Sequence, residues 1–280
     1  MTGSATRPMM NTPRIKTVQT RHGPMRALAG DRFITPCLEV YGEYSRQEWL
    51  LLEQIAKPGM TVVEAGANIG VHTIPLARAC APGVLFAFEP QMPIFALLCE
   101  NLKANQIGNV RPIPAACGAQ IGTGTVPSLD YSGAANFGGV SILADGEPGQ
   151  AVRIQTIDAF NLQECGLIKI DVEGFELSVV QGASDTIKKC RPVIYIENDR
   201  VENQEKLISC IGEMKYRMYW HVPYLYDSEN FNGATGHIFG QRIYSINMLC
   251  IPSERNTRVE RLEEIDPNNW SSPKGRKLSP

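Results

Sequence analysis

The chain has 280 residues, 43% hydrophobic and 20% charged, with a formal net charge of −2. That length holds one large domain or two small ones, and the near-neutral balance argues against a nucleic-acid partner. No apolar run is long enough to span a membrane and the N-terminus has no apolar signal core, so a cytoplasmic protein is expected.

Residues 1–13 are polar and proline-containing and read as disordered or extended. Between 15 and 38, short apolar stretches broken by His22-Gly23-Pro24 and Gly30-Asp31 predict a small β-hairpin or meander. The spacing of Trp49, Leu50, Leu52 and Ile55 predicts a helix over 44–56, with Ser45 and Glu48 as a capping box. Strands over 61–65, 84–88, 110–115, 167–172 and 192–197 then alternate with helices over 71–80, 92–105, 175–181 and 202–214. Late strands cover 217–222 and 244–251. This alternation predicts an α/β fold with a mostly parallel sheet covered on both faces.

Two stretches break the rhythm. Residues 118–150 are rich in Gly, Ser and Ala and predict a loop with short strands at 123–127 and 139–143. Residues 223–243 are irregular and carry Tyr224, Tyr226, Phe231, His237 and Phe239. Long inserts over the carboxyl edge of such a sheet shape substrate sites. Residues 14–252 read as one domain, with 14–45 as lead-in and 46–252 as catalytic core, and 253–280 as a charged, flexible tail. The eight cysteines lack metal or redox spacing and read as buried reduced thiols.

Glu64-Ala65-Gly66-Ala67-Asn68-Ile69-Gly70 follows the first long strand and opens a helix. Such a junction lets a ligand rest on bare backbone at a strand's carboxyl end. It lacks one glycine of the dinucleotide fingerprint, which a pyrophosphate requires. The acid at Glu64 suits a positively charged ligand, and together these points favour S-adenosylmethionine. Glu89 lies 23 positions after Gly66, near the spacing at which an acid takes ribose hydroxyls, with a first-turn helix acid as the rival role. Ala115 and Ala116 offer small residues beside an adenine ring.

Alternation places Lys169, Asp171 and Glu173 on one side of an extended segment, where three charges need a polar cleft or each other. His72 after the glycine loop and His221 at a late strand end are candidate bases, each also readable as a packing residue. Asp171, Glu197 and Asn198 form a conceivable oxygen-ligand metal site, ranked below a metal-free one.

Three segments together resemble the FkbM family of S-adenosylmethionine-dependent methyltransferases. They are Val63-Glu64-Ala65-Gly66-Ala67-Asn68-Ile69-Gly70-Val71-His72-Thr73, Phe88-Glu89-Pro90, and Ile168-Lys169-Ile170-Asp171-Val172-Glu173-Gly174-Phe175-Glu176. The lead-in Tyr41-Gly42-Glu43-Tyr44-Ser45 and the closing run 245–252 are also similar, so the resemblance covers roughly 40–252. Glu64 stands where many relatives carry Asp, which keeps the charge. The resemblance implies a class I, Rossmann-like three-layer sandwich, its seven-stranded sheet mostly parallel with an antiparallel last strand inserted near the edge. It implies O-methylation of a hydroxyl on a sugar, glycan or secondary metabolite, while composition argues against a nucleic-acid partner or a membrane span and leaves a homo-oligomer open. It carries cofactor binding to Glu43, Glu64, Gly66, Ala67, Asn68, Gly70, His72, Thr73, Glu89, Pro90, Ala116 and Asp171.

For catalysis Asp171 and Glu173 are expected first, since that strand end faces the methyl group in this architecture, with His221 as a further candidate. A nicotinamide-dependent oxidoreductase is the rival enzyme class and predicts the missing glycine. A catalytically silent methyltransferase-like binding module is the non-enzymatic rival. Intact Glu64, Gly66, Gly70 and Glu89 argue against it.

Overall fold

In a computed structural model that describes residues 12–143 and 146–274, the chain opens as the expected hairpin. The expected extended segment at 1–13 falls largely outside the described residues. β1 (Ile15–Thr20) and β2 (Gly23–Leu28) pair antiparallel. There the meander ends, because the Asp31 carboxylate accepts the amides of Phe33 and Thr35 at 3.0 Å and starts α1 (Ile34–Tyr41). Before α2 (Arg46–Ile55), Ser45 does not cap the helix. It sits at φ +47 and its hydroxyl donates to Glu48 Oε1 at 2.7 Å, within a buried contact.

β3 (Val62–Ala65), α3 (Thr73–Cys80), β4 (Leu85–Phe88), α4 (Met92–Ala104) and β5 (Val110–Ile113) follow the predicted rhythm. The insert folds as a small sheet of β6 (Ala116–Cys117), β7 (Gly122–Val126) and β8 (Gln150–Gln155), in the order β6-β8-β7. The strand expected at 139–143 is absent. Ser141 Oγ there donates to the Glu173 carbonyl at 2.6 Å, and the partner of β7 is β8. β9 (Leu167–Ile170), α5 (Glu176–Gln181), α6 (Ser184–Cys190), β10 (Val193–Glu197), α7 (Val201–Glu213), β11 (Tyr216–His221), β12 (Asn247–Pro252) and β13 (Glu263–Ile265) complete the chain.

The main sheet runs β13-β11-β12-β10-β9-β3-β4-β5. β10, β9, β3, β4 and β5 are parallel neighbours, and β12 is antiparallel to both β10 and β11. Alternate strand residues feed two cores. Val62, Leu85, Ala87 and Leu167 pack toward the Trp49, Ile74 and Leu98 side. Val63, Phe86, Ile168 and Ile194 pack toward the Val179, Ile187 and Leu207 side. The result is three layers, helix on sheet on helix, each large apolar side chain contributing roughly 1.5–3 kcal/mol by burial.

The eighth strand corrects the expected flexible tail. Ile265 pairs with Met218 and is buried, and Trp270 lies 6.3 Å from Trp220, so two isolated apolar residues anchor a charged segment against the sheet edge. All eight cysteines are free thiols. Among the described residues no helix is long and apolar enough to cross a membrane.

Candidate active site

The strands β3, β4, β9 and β10 end along one edge, and their loops enclose a cleft. After β3 the chain turns through Gly66 at φ +88, Asn68 at φ +49 and Gly70 at φ +93. Positive φ at three of five positions lets the loop turn tightly, and the amides of Gly66 and Ala67 both donate to the Phe88 carbonyl at 3.0 and 2.9 Å. Glu89 braces the same loop from β4. Its Oε2 accepts the Asn68 amide at 3.1 Å and its Oε1 the Gln91 amide at 2.8 Å. Burial pushes the Glu89 carboxyl up to about 7, against those amide bonds.

Behind the loop lies a buried charge cluster. Lys169, 2% exposed, reaches Asp171 Oδ2 at 3.2 Å and Glu64 Oε1 at 3.9 Å. Glu64 Oε2 also accepts the Thr73 hydroxyl at 2.7 Å. Burial alone pulls the Lys169 ammonium down, but Asp171, Glu64 and Glu48 outweigh it and leave it raised, so it stays charged. Burial lifts Glu64 to about 7, with Lys169 pulling the other way, and lifts Glu48 to about 7 likewise.

Glu173 follows in an unusual backbone state, φ +55, before Gly174 at φ +92. Such strain in a non-glycine residue collects at functional sites. Arg200 Nη2 donates to Glu173 Oε2 at 2.7 Å. Burial first, then the Asp171 charge, lifts Glu173 to about 7. Glu197 ends β10 with Oε2 buried and unpartnered, and burial with Asp171, Glu173 and Asp199 drives it well above the usual range. His72 is 4% exposed with Nε2 unpartnered, and burial with the Lys169 charge holds it neutral.

The cleft thus brings together Glu64, Gly66, Ala67, Asn68, His72, Glu89, Pro90, Ala116, Asp171 and Glu173. Gly70 and Thr73 support it from behind, Gly70 against Leu98 and Thr73 on Glu64. Two expected residues lie elsewhere. Both oxygens of Glu43 are taken by Arg21, at 2.7 and 3.1 Å, and Oε1 also by the Phe231 amide. His221 hydrogen-bonds Tyr195 OH through Nδ1 at 2.8 Å and lines a separate groove between α2 and residues 257–262. Asn198 donates to Met248 Sδ at 3.4 Å instead of joining Asp171 and Glu197. Among the described residues, no three His, Cys, Asp or Glu side chains gather as metal ligands.

Among the lining residues with no expected cleft role, three polar ones stand out. Glu48 reads as a cap partner, although its place on the apolar face beside Trp49 and Leu52 is the signal for burial. Asn136 carries no signal. Gln91 carries none beyond following Pro90, yet it holds the insert over the cleft. Its Nε2 donates to the Phe137 carbonyl at 3.0 Å and its Oε1 accepts Tyr131 OH at 3.0 Å.

An antiparallel strand set between the fifth and sixth strands of a parallel sheet, with a glycine loop and acids at successive strand ends, defines a class I methyltransferase domain. The sequence profile described as "Methyltransferase FkbM domain" matches residues 64–224, and the chain belongs to that family. Its cofactor is S-adenosylmethionine, and the tight glycine loop, the ribose-spaced Glu89 and the acid-lined cleft fit that group.

Hexuronic acid methyltransferase AglP of Haloferax volcanii is 32% identical over 152 residues, 52% of this chain and 58% of the relative. A tRNA(Phe) (4-demethylwyosine(37)-C(7)) aminocarboxypropyltransferase of Methanocaldococcus jannaschii is 41% identical over 61 residues, 22% of this chain and 24% of the relative. The chain therefore spans between 24% and 58% of these curated relatives. Among solved structures, an FkbM methyltransferase from Methylobacillus flagellatus aligns with TM-score 0.43 and 14% identity, over 72% of this chain and 50% of the other.

Proposed function

We propose that the protein methylates a hydroxyl oxygen of a sugar, glycan or secondary metabolite. Bound S-adenosylmethionine supplies an electrophilic methyl group on a sulfonium. In this reading the loop from Gly66 to Gly70 carries the methionine side of the cofactor, Glu89 takes the ribose hydroxyls and Ala116 leaves room for adenine. Asp171, held by Lys169, offers a fixed negative charge at the end of β9. Glu173 is the base. Arg200 fixes its Oε2, and Oε1 takes the proton from the acceptor hydroxyl. A carboxyl near pH 7 suits that task, and such a base is worth roughly 10²–10⁴-fold in rate. The insert and the 223–243 segment, through Asn136 and Leu225, close over the cleft and limit water. Orientation of the two reactants contributes ~7–11 kcal/mol.

The single observation that carries the assignment is the strained Glu173 beside Asp171 in an S-adenosylmethionine-family cleft. AglP, whose name gives a sugar acid as its substrate, supports a sugar acceptor. The test is transfer of labelled methyl from S-adenosylmethionine to a panel of glycosides by wild type, Asp171→Asn and Glu173→Gln, with the methylated atom identified by NMR. An O-methyl product, lost in Glu173→Gln while S-adenosylhomocysteine still binds, supports the reading. Methyl on carbon or nitrogen overturns it, and wild-type turnover in both variants overturns the residue assignment.

A further inference from the structure

Resting on that reading, we propose that the acceptor is a cation, a hydroxylated amine of the amino-sugar class whose ammonium seats against Glu197.

The argument is one of charge and of which groups stay unpaired. The cleft is lined by six carboxyl side chains, Glu48, Glu64, Glu89, Asp171, Glu173 and Glu197, and by one ammonium, Lys169. Glu64 and Glu89 belong to the cofactor half. One is held by Lys169 and Thr73, the other by the amides of Asn68 and Gln91. The remaining four lie at or beside the ends of β9 and β10, or face them from α2. Cations close to these four are already engaged. Lys169 is 3.2 Å from Asp171, and Arg200 is 2.7 Å from Glu173 and 3.4 Å from Asp199. A carboxylate, sulfate or phosphate on the acceptor would meet carboxyls that gain like charge as pH rises through about 7 and would find no unengaged cation among the lining residues.

The unpaired groups point the same way. Glu197 Oε2 and His72 Nε2 are buried in the cleft wall without partners. Burial holds the His72 ring neutral, and in the tautomer protonated at Nδ1 the unpartnered Nε2 presents a lone pair. His72 Nε2 accepts, and Glu197, held protonated by burial and the neighbouring acids, becomes an acceptor once a cation beside it favours the ionised form, so a ligand that satisfies both donates N–H. Tyr44 lines the same cavity, its ring 6.3 Å from that of His72, and adds an aromatic wall. Carboxylate, lone pair and aromatic ring together are what an ammonium with neighbouring hydroxyls needs. The cleft's charge separates this chain from an acceptor like the hexuronic acid in AglP's name, despite 32% identity over the matched region.

The test uses the full chain with S-adenosylhomocysteine or S-adenosylmethionine and three matched hexosides carrying a free amine, an N-acetylamine or a carboxylate. Binding is read as the thermal shift of the S-adenosylhomocysteine complex, and transfer as kcat/KM. The amine is expected to half-saturate at about tenfold lower concentration than either counterpart, and Glu197→Gln to remove most of that preference while S-adenosylhomocysteine binding holds. Equal or tighter binding of the carboxylate or N-acetyl sugar overturns the proposal, as does the lack of any shift with the amine. O-methylation of the carboxylate sugar in preference overturns it and leaves hydroxyl transfer standing. N- or C-methylation with the amine preference intact overturns hydroxyl transfer and leaves the cationic acceptor standing.

Discussion

The backbone of Gly66 passes so close to Asp171 that a β-carbon at residue 66 would collide with the Asp171 carbonyl oxygen. The two residues end the neighbouring strands β3 and β9, and the Asp171 amide donates back to the Ala65 carbonyl at 3.0 Å. The glycine loop after β3 and the strand end at Asp171 are thus set by one contact. Gly66→Ala adds this collision to a φ of +88 and is expected to cost about 3 kcal/mol or more. Thermal unfolding and calorimetric titration with S-adenosylhomocysteine check it. A variant with wild-type melting temperature and affinity would show that the contact is not needed.

Lys169→Met removes the one ammonium among the acids behind the loop. The buried Glu64 would lose its cation, and Asp171 as well, though Asp171 is 40% exposed and partly rescued by water. A loss of about 2–4 kcal/mol is expected. Lys169→Met with Glu64→Gln should recover part of it, since the neutral amide can still accept from Thr73. Denaturant unfolding of the single and double variants measures the recovery, and a double variant no more stable than Lys169→Met refutes the coupling.

Much of the parallel sheet was legible because buried strands announce themselves as apolar runs ending in an acid or glycine, as 61–66 does. The ordered end of the chain was not. Ile265 and Trp270 are single apolar residues in a charged run, and only the exposed edge of β11 explains why they dock. α1 escaped for a local reason, a carboxylate at Asp31 that satisfies helix amides without sitting at the expected cap. In the site, strand-end acids showed in the sequence, whereas Gln91 acts through contacts made only when distant segments close, and Glu48 gains its cleft role only by facing the Lys169 and Asp171 charges from another segment. Glu43 and His221 misled because an acid or histidine near a motif gives no sign of its partner, here Arg21 and Tyr195.

Gln91→Leu is expected to loosen the insert. Two hydrogen bonds, to the Phe137 carbonyl and from Tyr131 OH, are lost, and the first leaves a buried group unpaired. The stability cost is roughly 1–3 kcal/mol, but the main effect falls on the insert near 131–140. Limited proteolysis should cut there faster than in wild type. Unchanged cleavage, with unchanged acceptor KM, would show that the insert is held by other contacts.

His221 lies outside the cleft on Tyr195 and is expected to serve stability, with a pH signature that differs from that of the cleft acids. Burial lowers its pKa from the usual 6.5 to about 4. The contribution of neutral His221 is therefore full above about 6.5 and is lost as pH falls through about 4. His221→Asn should flatten the drop in melting temperature between about pH 6.5 and 4 and leave S-adenosylhomocysteine affinity unchanged. A parallel drop in wild type and variant contradicts the assignment.

The acids of the cleft predict that S-adenosylmethionine and its product separate with pH. Burial lifts Glu48, Glu64, Glu89 and Glu173 each to about 7 from the ordinary 4.5. In the free protein this raised pKa gives stability that is full below about 4.5 and is lost as pH rises through about 7. A sulfonium favours the ionised carboxylates, whereas the thioether of S-adenosylhomocysteine does not. Cofactor binding should thus release protons near neutrality, and the affinity ratio of S-adenosylmethionine to S-adenosylhomocysteine should rise about tenfold from about pH 6 to about pH 8, then level off. The same step turns a weakly charged cleft into one that holds the donor and releases the spent product. Titration calorimetry of both ligands, in two buffers of different ionisation enthalpy, measures the ratio and the proton release together. A ratio constant across this range, with no proton release, would mean that the sulfonium does not lie within reach of these carboxyls.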